Sequence, residues 1–330
     1  MRVEAFSEGK YLDAPQSNED QFLILPGRGY AVFDGATDIS GRLFAGRRGG
    51  WHASRIAMQA VAEFLLDATG AELHTERLIE RISTAMRICY AQHGILDAVR
   101  SDRAFRFGAT LTLAADLGLT FRFVLIGDSG LRINGAEVFI SDSGLDLVTA
   151  SLRVQGWRLA RDAGAAADDC ARVGRAGAFF GAARLHPDMQ PWLDETKRRL
   201  LYERSLAWCR ARLPAVPEPD IRHLLDAGIG GQARFANNLS SPLSYAVLDG
   251  FDIPLPLVQV FDRPRADLHS IELFTDGYFK PGATPVLSEW EAAWAEVERL
   301  DPEKIEQYPS VKGSGARMHT DDRTVVIVQL

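Results

Sequence analysis

The sequence predicts an α+β fold with antiparallel sheets, and three observations support this class. Short apolar runs of strand character come in groups near both ends of the chain, with helical patterns between the groups rather than after each strand. Turn signals such as Asn134-Gly135 separate neighbouring runs, as in β-hairpins. Neither GxGxxG nor GxxxxGK[ST] occurs, which disfavours the nucleotide-binding folds with parallel sheets.

The predicted elements follow one another in blocks. Strands are expected at residues 2–8, 21–25, 30–34, 108–113, 120–126, 131–140, 245–248, 257–261, 271–274 and 324–329. A loop rich in glycine and arginine is expected at 35–50. Helices are expected at 51–67 and 76–93, where they would cover a sheet, and at 288–299. The last helix would start at Ser288-Glu-Trp-Glu291, which has the pattern of a capping box.

Residues 141–240 differ in character from the sheet-forming parts on either side. They contain an alanine-rich stretch at 163–178, a long helical pattern at 188–212 and a shorter one at 218–227. A hairpin sheet does not need so much chain between two strands. We therefore interpret 141–240 as a helical insertion within a single domain of residues 1–330, and it is either a structural subdomain or a surface that binds a partner protein.

Composition and charge restrict the classes of function. The chain of 330 residues is 46% hydrophobic and 25% charged, as in soluble globular proteins, and its net charge of −7 disfavours nucleic acid and acidic membranes as partners. We expect no signal peptide and no membrane helix, because no apolar run is long enough. The three cysteines and seven histidines show no metal-binding spacing, so we expect reduced thiols, no zinc site and a cytoplasmic location.

Carboxylates stand at one end of four predicted strands. They occur in Glu19-Asp20, Asp34-Gly35, Asp276-Gly277 and Asp321-Asp322. Carboxylates that are brought together repel one another and are costly to desolvate, so such a cluster normally binds a cation, and oxygen ligands select Mg²⁺ or Mn²⁺. A single Asp-Gly after a strand is more often a plain turn, so the hypothesis depends on all four places.

The motifs NED, VFDGA, FGAT, GDSG, FTDG and DDRTVVIV occur in this order between Glu19 and Val328. The series resembles the motifs of the metal-dependent PP2C-type (PPM) serine/threonine protein phosphatases, and the chain looks like a divergent, bacterial-like member. The resemblance implies an αββα sandwich of two antiparallel sheets flanked by helices. It also implies a metal site in a cleft at one end of the sheets, and a mobile flap beside that site in the region 141–240.

The resemblance assigns expected roles to single residues. Asp34 matches the carboxylate that bridges two Mn²⁺ or Mg²⁺ ions, and Gly35 matches the residue that binds through its carbonyl. Further matches are Asp276 and Asp321 as ligands of the second ion, Glu19 and Asp20 as acids that hold the ions' waters, Asp128 near a possible third ion, and Thr110 beside the site. The implied reaction is in-line attack on phosphorus by a water that the two ions activate, without a covalent enzyme intermediate.

The positions that would handle phosphate depart from the family pattern. Where the family has a phosphate-binding arginine, a histidine and an acid, this chain has Pro15, Ala36 and Lys280. Candidates to bind phosphate instead are Arg28, Arg42, Arg47 and Arg48, with Arg47 and Arg48 preferred, and His52 is a candidate proton donor. Each of these side chains, taken singly, is also consistent with an ordinary surface charge.

We therefore expect a cytoplasmic phosphatase that acts on phosphoserine or phosphothreonine in a phosphorylated protein. One alternative is a catalytically weak member that serves as a regulatory or binding module, with 141–240 as its contact surface. The other is a hydrolase of a small phosphorylated metabolite. The phosphatase and the binding module differ in one feature: a phosphatase needs a basic side chain that reaches the metal site.

Overall fold

The structure, a computed structural model, describes residues 1–36, 41–67 and 73–330. Residues 37–40 of the predicted glycine- and arginine-rich loop therefore lie outside the described residues. The chain forms two compact units. The first consists of Met1–Asp142, Tyr245–Glu296 and Arg317–Leu330, and the second consists of Ser143–Ser244 and Val297–Ala316.

One sheet of the first unit contains strands from both ends of the chain. Numbered along the chain, its strands in spatial order are β1 (Arg2–Glu8), β10 (Arg323–Gln329), β9 (Ser270–Phe274), β6 (Gly130–Ile133) and β7 (Glu137–Phe139). All four neighbouring pairs are antiparallel. Asn134 and Gly135 connect β6 to β7 with φ values of 55° and 68°, so both residues have the positive φ of the predicted type I′ turn.

The second sheet of this unit is also antiparallel. Its order is β2 (Gln21–Leu25), β3 (Gly29–Phe33), β4 (Leu111–Asp116), β5 (Thr120–Ile126) and β8 (Gln259–Pro264). The prediction of a strand at 245–248 is wrong, because this segment forms no strand and contributes an isolated bridge between Leu248 and Ala109. Every residue of β3 is buried, which fixes the position of the acid that follows it.

The two sheets pack face to face, and helices cover their outer faces. Val32, Phe123 and Val326 belong to the apolar core between the sheets. Helices α1 (Gly49–Asp67), α2 (Thr75–Gln92) and the short α3 (Leu96–Ser101) contribute to a second core on the outer face of the β2–β8 sheet. The layered α+β sandwich that the resemblance implied is thus the observed architecture of the first unit.

The other outer face is covered by α8 (Leu287–Leu300), whose Trp290 packs with Phe274 and Val325. The predicted capping box at the start of this helix is wrong. The backbone N–H of Leu287 donates to the Glu4 carboxylate at 2.8 Å, so a distant glutamate caps the helix. The carboxylate of Glu291 instead accepts hydrogen bonds from the Tyr278 hydroxyl and the Arg323 guanidinium.

The second unit is helical. It contains α4 (Leu145–Asp162), α5 (Ala167–Phe180), α6 (Glu195–Arg212) and α7 (Glu218–Ala227). Helix α6 begins later than predicted because Asp194 caps it, accepting from the Lys197 N–H at 2.8 Å. The insertion was predicted without Val297–Ala316, which this unit includes. Among the described residues, no helix has both the length and the apolarity that crossing a bilayer requires.

Candidate metal centre

The Asp34 side chain is positioned by the end of β3 and by the neighbouring Thr110. The backbone carbonyl of Asp34 accepts from the Thr110 N–H at 2.8 Å, and the backbone N–H of Asp34 donates to the Thr110 hydroxyl at 3.3 Å. That hydroxyl lies 2.6 Å from the hydroxyl of Ser129. Thr110, which the motif series placed beside the site, therefore fixes the backbone on both sides of the Asp34 side chain.

The acids of the predicted motifs lie close to Asp34. Burial raises the pKa of the Asp34 carboxyl well above its ordinary value, and nearby carboxylates raise it further, namely Asp276, Asp20, Asp321 and Asp128. Like charges have this effect only over short distances, because water and ions screen longer ones. The structure thus brings together strand-end acids that are up to 301 positions apart in the sequence, Asp20 and Asp321 being the extremes.

Asp20 has one satisfied and one unsatisfied oxygen in the protein interior. Its side chain is 2% exposed, and its Oδ2 accepts from the Thr275 hydroxyl at 2.8 Å. Its Oδ1 is buried without a hydrogen-bond partner among the described residues. Burial, followed by the charges of Asp322 and Asp276, raises the pKa of Asp20. A buried carboxylate oxygen without a donor is unfavourable in a folded protein unless a cation binds it.

Two glycines allow the start of α1 to approach the Asp34-Gly35 turn. A Cβ on Gly35 would lie 2.5 Å from the Gly50 carbonyl oxygen. A Cβ on Gly50 would lie 2.7 Å from Oε1 of Glu19 and 2.5 Å from the Ala36 carbonyl oxygen. The sequence predicted Gly35 as a carbonyl ligand, and the structure adds that this position and Gly50 have no room for a side chain.

Lys10 lies inside the acid cluster, and the sequence analysis did not identify it. Its Nζ is 3.1 Å from Asp321 Oδ1, 3.2 Å from Asp322 Oδ2 and 3.4 Å from Glu19 Oε2, and the side chain is 3% exposed. Burial acts to lower the pKa of Lys10, but the three carboxylates outweigh it and raise the pKa above its ordinary value. A single lysine has no local sequence signal when two of its three carboxylate partners are 311 and 312 positions away.

Asp322 connects the segments that surround Lys10. Its side chain accepts from the Lys10 N–H at 2.7 Å and from the Glu19 N–H at 3.2 Å. The motif comparison placed Asp321, not Asp322, at the ligand position. The contacts agree with separate tasks for the two residues, because Asp322 is buried and holds backbone groups, whereas Asp321 is partly exposed.

The preferred candidates Arg47 and Arg48, together with His52, lie at the start of α1, whereas Arg28 lies in the turn between β2 and β3. The Arg47 guanidinium donates to the Gln16 carbonyl and lies 5.1 Å from the centre of the Trp51 ring. Arg48 directly precedes the helix. His52 Nε2 is 2.7 Å from the Phe44 carbonyl oxygen, and burial lowers the pKa of its imidazole. The substrate-binding roles of these three residues stay predictions.

No family model and no curated protein matches the sequence, whereas several solved structures do. The serine/threonine phosphatase PstP/Ppp of Mycobacterium tuberculosis is 19% identical, with a TM-score of 0.44 over 100% of this chain and 98% of that chain. The catalytic domain of PstP in complex with two manganese ions is 16% identical, with a TM-score of 0.44 over 99% of this chain and 97% of that chain. Stp1 of Staphylococcus aureus is 10% identical, with a TM-score of 0.45 over 100% and 95%.

Proposed function

We propose that the protein is a metal-dependent phosphatase that hydrolyses phosphoserine or phosphothreonine in protein substrates. One observation carries the proposal: Asp20, Asp276, Asp321 and Asp128 all lie close enough to Asp34 to raise its pKa. These are the acids that the PP2C-like motif order singles out. Their convergence supports a cation site, since clustered carboxylates without a cation repel one another.

The donor set fits a hard divalent cation. All the predicted side-chain ligands are carboxylates, which suit Mn²⁺ or Mg²⁺, and Asp20 offers a buried oxygen that no described residue satisfies. Asp34, the Gly35 carbonyl, Asp276 and Asp321 would hold the ions, with Glu19, Asp20 and Asp128 around them. Bound there, two such ions would acidify a water molecule and neutralise charge on the phosphoryl oxygens.

The chain's own residues would keep this site in place. Thr110 fixes the backbone of Asp34, and Thr275 orients Asp20 through its hydroxyl. Gly35 and Gly50 let the first turn of α1 approach the acids. The first backbone N–H groups of a helix have no partner within the helix, so this turn offers donors to a phosphate, and Arg48 adds positive charge beside them.

A second candidate function follows from Lys10. Its ammonium already neutralises Asp321, Asp322 and Glu19, so part of the cluster is balanced without any metal. The family's phosphate-binding arginine is also replaced, by Pro15. These two observations favour a protein that binds a phosphorylated partner or a regulator and hydrolyses phosphate esters slowly or not at all. Hydrolysis of a small phosphorylated metabolite is the third reading.

The discriminating experiment is hydrolysis of p-nitrophenyl phosphate and of a phosphothreonine peptide, with MnCl₂ and with EDTA. We expect hydrolysis with MnCl₂ and none with EDTA, and we expect Asp34→Asn to have lost the Mn²⁺-dependent hydrolysis. Asp97→Asn is the matched control, because the Asp97 side chain is fully exposed on α3 of the same unit. Its turnover should equal that of the parent.

The outcomes separate the three readings. Small phosphorylated metabolites are assayed under the same conditions. A higher kcat/KM for the phosphopeptide than for these metabolites supports the protein phosphatase, and the reverse order supports the metabolite hydrolase. Mn²⁺ binding by calorimetry without turnover supports the binding module. Turnover that persists in EDTA or in Asp34→Asn would remove the carboxylate cluster as the catalytic centre.

A further inference from the structure

The first unit contains a second group of possible metal ligands, built from nitrogen and sulfur. One ring nitrogen of His52, one ring nitrogen of His93 and the sulfur of Cys89 all lie within 4.8 Å of one another. His52 belongs to the first turn of α1, Cys89 to the last turn of α2, and His93 directly follows α2. The expectation of no zinc site came from sequence spacing, which does not detect side chains that are far apart in the sequence and close in the fold.

We propose that His52, Cys89 and His93 form a binding site for a zinc ion or a similar borderline transition-metal ion, separate from the carboxylate centre. Imidazole nitrogen and thiolate sulfur are the preferred ligands of zinc, and three protein ligands leave a fourth position for water. Zinc–ligand bonds of about 2.0–2.3 Å place tetrahedral ligand atoms about 3.4–3.6 Å apart. Small rotamer changes would therefore bring the three groups to bonding distance.

The hydrogen bond of His52 prepares this residue for metal binding. A carbonyl oxygen only accepts, so the 2.7 Å contact with Phe44 requires that Nε2 of His52 carry the proton. The lone pair of the neutral ring is then on Nδ1. Histidines that bind metals commonly donate their other ring N–H to a carbonyl in this way, which fixes the tautomer and the ring orientation.

The helical spacing and the surroundings also suit a metal ion. Cys89 and His93 are four residues apart, and the His93 N–H donates to the Cys89 carbonyl at 3.0 Å, so both side chains leave the same helical turn on one side. The ring of Phe44 lies 5.4 Å from that of His93, and the ring of Phe107 lies 5.7 Å from that of His52. Cys89 is buried and the histidines are half-buried, which leaves a path for an ion.

Aromatic packing is the alternative explanation of this cluster. In that case the rings would stabilise the contact between α1 and α2 without any ion, and the thiol would be an ordinary core group. The two explanations differ in one measurable property, because only the metal site forms a bond between a metal and the Cys89 sulfur. The inference does not rest on the proposed phosphatase function.

The test is a titration of full-length protein, freed of metal with EDTA and dialysed, with CoCl₂. A Co²⁺–thiolate bond gives an intense charge-transfer absorption in the near ultraviolet, which carboxylate-bound Co²⁺ lacks. We expect this band to saturate at one equivalent per chain and to disappear when ZnCl₂ is added. Cys89→Ser should abolish the band, and His93→Gln should weaken Co²⁺ affinity at least tenfold.

Matched controls keep the result specific. Cys170→Ser replaces a buried thiol of the second unit, and His74→Gln replaces an exposed histidine next to the other end of α2, so both should retain the band. Asp34→Asn should retain it as well, even if that variant loses phosphatase activity. No charge-transfer band in the folded parent, or a band that persists in both Cys89→Ser and His93→Gln, would overturn the proposal.

Discussion

Lys10 is a cation that the chain itself supplies to the acid cluster. Its ammonium is buried and contacts three carboxylates, of which Glu19 and Asp322 are buried and Asp321 is partly exposed. Removing one partner of a buried ionic group leaves the others uncompensated, which typically costs about 3–5 kcal/mol. A divalent ion at the same acids would supply part of the missing positive charge.

The first prediction is therefore that Lys10→Met destabilises the protein by about 3–5 kcal/mol in EDTA, and by less in millimolar MnCl₂. Urea unfolding of parent and variant under both conditions measures this. Lys280→Met is the control, since Lys280 pairs with Glu296 at the surface and such pairs contribute at most about 1 kcal/mol. Equal stability of Lys10→Met and parent in EDTA would contradict a compensating role for Lys10.

The second prediction concerns the pH dependence that Asp34 causes. Its pKa is raised by burial and by neighbouring acids, so the folded state holds the proton more tightly than the unfolded state. The contribution of Asp34 to stability is then full below the ordinary pKa of 3.8 and is lost as pH rises through the raised pKa. In EDTA, the free energy of unfolding of Asp34→Asn should therefore fall less steeply with pH than that of the parent. The two slopes should differ by up to about 1.4 kcal/mol per pH unit.

Urea unfolding at a series of pH values above 4, with EDTA throughout, checks this sign. Asp97→Asn should show the parent's slope, because Asp97 is fully exposed. A steeper loss of stability in Asp34→Asn than in the parent would mean that the Asp34 carboxylate is stabilised in the folded state. The acids would then not repel one another there.

At the scale of elements, the sequence predicted what depends on local pattern. The ends of β3 and β9 shortly before Asp34 and Asp276 were predicted because an apolar run is followed by an acid and a glycine. Helix α4 was not predicted from the sequence, and in the structure 12 of its 18 residues are buried. Lys10 was missed because its role depends on residues that are distant in the sequence. The predicted capping box was wrong because Arg323 and Tyr278 bind the Glu291 carboxylate.

The third prediction belongs to the start of α1. If Arg48 binds the phosphoryl group of the substrate equally in the ground and transition states, Arg48→Ala should raise KM and leave kcat nearly unchanged. A lost charged hydrogen bond costs about 1.5–3 kcal/mol, which corresponds to about a 10- to 150-fold lower kcat/KM. Arg47→Ala should in addition lower stability, because Arg47 also bonds the Gln16 carbonyl and covers Trp51.

Kinetics with saturating Mn²⁺ and a phosphothreonine peptide measure these effects, with urea unfolding alongside. Arg55→Ala is the control, because Arg55 lies about two turns beyond Arg48 along α1 and is exposed. If Arg47→Ala, Arg48→Ala and the double variant all match the parent in kcat and KM, this segment does not bind the phosphate.

At the scale of the whole molecule, the ten strands found among the described residues all belong to the first unit, and the second unit is helical. The segment Val297–Ala316 belongs to the second unit. Buried Arg153 of α4 donates to the Lys304 carbonyl at 3.2 Å, and Asp301 accepts from the N–H groups of Gln307 and Tyr308 at 2.9 and 3.0 Å. Removing 143–244 alone would therefore leave this segment without its buried arginine partner.

The last prediction is that replacing both 143–244 and 301–316 by short flexible linkers leaves a folded protein, whereas replacing 143–244 alone leaves a less stable one. The double replacement keeps α8 whole and removes Arg153 together with the carbonyls that it binds. Circular dichroism and urea unfolding should show a cooperative, strand-rich protein for the double replacement. If it is insoluble or melts without cooperativity, the sheets require the second unit in order to fold, and 141–240 is not an insertion in the sense predicted from the sequence.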